Sequence, residues 1–128
     1  MEQLTSGVNW LAVGAGTVAS FVLGWLWYSP MLFGKPWAAA AGITLPEAGS
    51  SEFPVVPLIT QLAATFLLAW LIGVIQASLP LAALIIATIA LFIAANDMFV
   101  KKGTAAILVE CGFVVAIGTI MIAVHSIL

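Results

Sequence analysis

Residues 55–100 read VVPLITQLAATFLLAWLIGVIQASLPLAALIIATIALFIAANDMFV, with no charged residue before Asp97. As one helix, at 1.5 Å rise per residue, this stretch is roughly 69 Å long, more than twice the thickness of a hydrocarbon core. It must fold back on itself. Gln76-Ala77-Ser78-Leu79-Pro80 is its one weak point, so the sequence predicts a tight turn there and helices over 55–77 and 81–100. Pro57 falls in the first turn of the former, where its missing N–H removes no hydrogen bond.

The flanking sequence supplies two more segments of the same kind. Residues 8–28 are apolar and long enough to span, with Trp10 near one end and Trp25, Trp27 and Tyr28 near the other, as in interfacial aromatic belts. Ser29-Pro30 ends this helix, because a residue before proline avoids the α region. It is expected to stay as a helix rather than be cleaved: Glu2 precedes it and no Lys or Arg does, whereas a secretory leader begins positive. After Lys101-Lys102-Gly103, residues 104–127 form the fourth apolar segment. Between 30 and 54, Gly and Pro punctuate the one real loop. Within it Trp37 to Ala41, following Pro36, is expected as a short helix lying in the interface.

Composition agrees. Of the 128 residues 64% are hydrophobic and 6% charged, where a soluble domain carries roughly a quarter charged residues. The net charge of −2 is too small to steer a nucleic acid or an ionic substrate. Cys111 is the single cysteine, so no disulfide forms within the chain. The expected architecture is an all-α integral membrane protein, one domain of four transmembrane helices in an up-down bundle, with a short interfacial helix in the first loop.

Small residues recur at helical spacing. Ala12, Gly16, Ser20 and Gly24 form a stripe on the first helix, Ala69, Gly73 and Ala77 on the second, Ala83, Ala87, Ala90 and Ala94 on the third, Gly112 and Ala116 on the fourth. Such stripes let backbones approach closely in lipid, either within one subunit or between subunits. Orientation follows from lysine. Lys35, Lys101 and Lys102 fall beside the first and third connections and none falls on the other side, which puts those loops in the cytoplasm and both termini outside.

A polar residue within hydrocarbon is costly, so each needs a reason. Asp97 lies roughly 6 Å inward from Lys101, and Glu110 roughly 9 Å into the fourth helix. Gln61, Asn96 and Tyr28 are expected at a similar level, one or more per helix. Asp97 continues the alanine stripe of its helix and should point into the bundle. Two readings stay open. The five residues form a proton or cation site on the two acids, or a satisfied polar network, with Lys101 or Lys102 neutralising an acid, that fixes helix register. A second polar layer, Asn9, Gln76, Ser78, His125 and Ser126, lies at the outer ends. One histidine without companions argues against haem or zinc and suits a role at the surface, and Cys111 suits a small hydrophobe. The chain has no phosphate-binding loop, HExxH, GxSxG or dinucleotide fingerprint. Neither a metal nor any other cofactor is expected, nor enzymatic activity.

Three N-terminal stretches, Asn9-Trp10-Leu11-Ala12-Val13, Gly24-Trp25-Leu26-Trp27-Tyr28-Ser29-Pro30 and Leu32-Phe33-Gly34-Lys35-Pro36-Trp37, resemble the signature of the membrane family labelled domain of unknown function 1761. Asn96-Asp97-Met98-Phe99 and Glu110-Cys111-Gly112-Phe113 resemble its C-terminal half. The family tends to have Asp where this chain has Glu110, Tyr where it has Phe113, and arginines in the hairpin. The resemblance covers nearly the whole chain. It implies four helices and a bacterial inner membrane, hence periplasmic termini, and no activity. The expected function is a small non-enzymatic inner-membrane protein, self-associating or accessory to a larger membrane complex, with the lipid bilayer as solvent and no nucleic acid as partner. The rival is a proton or small-cation channel or transporter acting as a dimer through Asp97 and Glu110; a membrane enzyme ranks third.

Overall fold

Asn9 starts the first long helix: its backbone is extended and its side-chain oxygen accepts the amide of Ala12 at 3.1 Å, satisfying a first-turn donor. The computed structural model describes residues 1–43 and 55–128, and among these are six helices and no strand. They are α1 (Glu2–Thr5), α2 (Trp10–Trp27), α3 (Gly34–Ala41), α4 (Val55–Val74), α5 (Leu79–Phe99) and α6 (Thr104–Ile127). Residues 44–54, the rest of the expected loop, lie outside the described residues. Four helices, α2, α4, α5 and α6, are long and apolar enough to cross a membrane. The chain is an all-α, multi-pass membrane protein.

The turns explain where the helices stop. α4 ends at Val74, short of the expected 77, because Gln76 and Ala77 both take left-handed backbone, each at φ +54°. The Ala77 amide reaches back to Ile72 O at 2.9 Å and that of Gln76 to Gly73 O at 3.0 Å, the paired bonds of a Schellman turn. α5 then begins at Leu79, two residues before the expected start, since Pro80 is tolerated in a first turn. Its far end closes in the same way. The Lys102 amide donates to Asp97 O at 3.0 Å and the Lys101 amide to Met98 O at 3.1 Å, with Lys101 at φ +61°.

Packing is uneven. Among the described residues α2 packs against both α4 and α6, α6 also receives α3 and α5, and α5 packs mainly along α6. The core gathers Val13, Leu68, Ala69, Ile72, Ala82, Phe113, Ile117 and Met121. The α2 stripe is used inside the chain: Ala12 and Ser20 are fully buried, Gly16 backs onto Met121 and Gly24 onto Phe113. On α4, Ala69 is buried and Gly73 lies against Val13.

The α5 stripe is not used in this way. Ala83 and Ala87 are exposed, while Ala82, Ile86 and Asp97 are buried. A seven-residue pattern drifts by ~20° per heptad around a straight helix, so over two heptads Asp97 is carried about 40° from Ala83 toward the side of Ile86, which faces α6. At Gly118 the Ile86 side chain of α5 lies so close to the α6 backbone that a Cβ would overlap it.

Contacts sort the connections into two ends. At one, the Trp70 indole donates to Leu4 O at 2.6 Å and Gly73 adjoins His125, so α1, the end of α4 and the end of α6 lie together. At the other, the Gly103 amide donates to Ala40 O at 2.8 Å, tying α3 to the turn between α5 and α6. Lys35, Lys101 and Lys102 all belong to this second end.

Candidate functional site

The site begins with a reversal of the chain after α2. The Gly34 amide donates to Ser29 O at 2.9 Å, and a Cβ at Gly34 would overlap the carbonyls of Tyr28 and Ser29. Only glycine permits this approach. It swings α3 back along α6, so that Trp37 faces Glu110 and its indole Nε1 donates to Glu110 Oε2 at 2.9 Å.

Trp27 and Tyr28 also turn inward rather than outward to an aromatic belt. Trp27 Nε1 donates to Val109 O at 3.0 Å, using the spare lone pair of a helix carbonyl. Tyr28 sits edge-on to Trp37 and to Phe113, with ring centres 5.0 and 5.4 Å away. Trp25 alone of the three keeps the outward position, 79% exposed.

Lys102 completes the cluster. Its Nζ lies 3.0 Å from Glu110 Oε2 and 3.3 Å from Asp97 Oδ1, so one ammonium is held between two carboxylates. The side chains of Asp97, Glu110 and Lys102 are 8%, 15% and 26% exposed. Burial pulls the Lys102 ammonium down, but the hydrogen bonds to Glu110 and then Asp97 outweigh it and hold the group above the ordinary lysine value. The Tyr28 hydroxyl is pushed up, first by burial and then by the charges of Glu110 and Asp97. It therefore stays protonated. Asp97 Oδ2 is buried with no hydrogen-bond partner among the described residues.

Of the five polar residues expected here, the structure brings together Asp97, Glu110 and Tyr28. Gln61 and Asn96 are exposed. Asn96 immediately precedes the buried Asp97 and so points about 100° away around the helix. Gln61 lies on α4, which does not pack along α5 and meets α6 only sparingly. In their place stand Trp37 and Lys102. The turn selects between the lysines: Lys101 occupies the left-handed position and is exposed, while Lys102 folds back over the helix end. The signal available for Trp37 was chemical, an indole N–H near the membrane with no acceptor in its own helix.

Beyond this cluster, the Cys111 thiol donates to Ala90 O at 3.3 Å. His125 Nδ1 lies 2.9 Å from Met121 O, and its Nε2 is buried beside Gly73 with no partner among the described residues. His125 thus faces the bundle, not the surface. Among the described residues no group of three or more His, Cys, Asp or Glu side chains is arranged to hold a metal ion. Between Asp97 and Glu110 the Lys102 ammonium occupies the place a cation would take.

Four of the stretches that carry the family likeness, 24–30, 32–37, 96–99 and 110–113, lie in the half of the bundle that holds this cluster, while 9–13 starts α2 at the other end. The family model for a protein of unknown function, DUF1761, matches residues 11–126. The chain belongs to that family. Comparison with curated proteins and with solved structures finds no match. The match runs from the second residue of α2 to the last turn of α6, so the family pattern takes in all four apolar helices and the cluster between them.

Proposed function

We propose that this DUF1761 protein is a non-enzymatic inner-membrane subunit that pairs with another copy, or with a partner subunit, through the open edge of α5. One observation carries the reading: among the described residues α5 packs mainly along α6, leaving Ala83 and Ala87 exposed beside an apolar groove completed by Val115, Thr119 and Ile122 of α6. Small residues left uncovered on a membrane helix suit a second helix better than lipid chains. The Asp97–Lys102–Glu110 cluster acts in this reading as a clamp, joining α5, its turn and α6, with Trp37 adding α3. The helices run up and down, with the lysine end in the cytoplasm and both termini in the periplasm. In a background where Cys111 is replaced by Ser, Ala83→Cys or Ala87→Cys should give disulfide-linked dimers in native membranes, and Val18→Cys on the exposed side of α2 should not. Equal cross-linking at all three positions, or none at Ala83 and Ala87, would remove the pairing surface.

A second reading, a proton or cation pathway in a dimer, rests on the buried Asp97 Oδ2, which has no donor among the described residues. Liposomes separate the two. As a clamp, wild type conducts no more than empty vesicles, and Asp97→Asn and Glu110→Gln change stability alone. A wild-type current abolished by either substitution, in a protein that still folds, would favour the pathway. Orientation is tested by labelling: Ser6→Cys and Ser126→Cys should react with an impermeant reagent from the periplasm, Lys35→Cys only after the membrane is opened.

A further inference from the structure

No further inference is drawn: the strongest candidate, the partnerless Oδ2 of Asp97 in the cluster where α5 and α6 join, belongs to the site already described, and one acceptor oxygen beside an ammonium selects no ligand.

Discussion

Helices α2 and α5 are similar in length and apolar character, and each carries a stripe of small residues, yet they are treated differently. In the most apolar stretch of α2, 28% of positions are buried; in that of α5, 11%. α2 lies between α4 and α6 and uses Gly16 and Gly24 for close approach to α6, whereas among the described residues α5 packs mainly against α6. A small-residue stripe therefore marks a helix able to approach another but not which other. In lipid no hydrophobic force draws helices together, so the partner is chosen by local fit and by polar bonds. For α5 the polar bonds stand at the lysine end and the local fit at Gly118.

If polar bonds hold α5 to α6, the largest loss should follow Lys102→Met, which leaves two acids facing each other in a mostly buried site. We expect about 2–3 kcal/mol, below the full cost of breaking a buried pair because a quarter of the Lys102 side chain reaches solvent. Equilibrium unfolding in mixed micelles measures it, with Lys101→Met expected within ~0.5 kcal/mol of wild type. Equal losses for the two lysines would show that the turn does not select between them. The pH dependence has a defined sign. Because Lys102 is held above its ordinary value, its contribution is fully present below the usual lysine range, near 10.4, and is lost as pH rises beyond it. Lys102 should therefore add no pH dependence to stability between pH 7 and 9, where its full contribution is present, and the alkaline fall should shrink in Lys102→Met.

The packing side of the comparison rests on Gly118. Gly118→Leu must push Ile86 aside and should cost about 1–3 kcal/mol, the usual penalty of overpacking. Gly14→Leu on α2, where a Cβ meets nothing within 4 Å, should cost close to nothing by the same unfolding assay. A matched loss at both would mean that helix backbone effects, not the α5–α6 contact, set the cost.

Smaller still is the effect of Ala77→Gly. It relieves a left-handed alanine in the turn between α4 and α5 and should raise stability by about 0.5–1 kcal/mol. Denaturation midpoints resolve a change of this size, and a loss would show that the turn is held by contacts of the Ala77 side chain. Smallest for the single subunit is Ala83→Leu. Its melting should match wild type, while the cross-linked dimer fraction, read through Ala87→Cys, should fall. If the monomer melts early instead, α5 has a neighbour within its own chain.

Much of the fold was legible. Four apolar segments of spanning length cannot be accommodated in water, and in lipid segments of about 20 residues satisfy their backbones as helices, a barrel strand needing only about half that length. The turn at Gln76 to Pro80 was visible because a helix of roughly 69 Å fits no bilayer. The site was legible only in part. Asp97, Glu110 and Tyr28 stood out as polar groups in apolar surroundings, which is a property of sequence. Gln61 stood out for the same reason and proved exposed, because depth along a helix says nothing about which way a side chain faces across the bundle. Trp37 was hidden by the reverse logic: it reads as an interfacial aromatic until Gly34 turns its helix back upon α6.

Helical structure, four apolar spans, and lysines flanking the connections that bear Gly34 and Gly103 can all be read from the amino-acid order. These follow from composition and length, which act residue by residue. Packing in three dimensions sets which side of α5 is left open, joins Lys102 rather than Lys101 to the acids, and presses Ile86 of α5 against Gly118 of α6. Each depends on rotation about a helix axis and on one left-handed residue in a turn, and at ~100° per residue a shift of a single position sends a side chain from the bundle toward lipid.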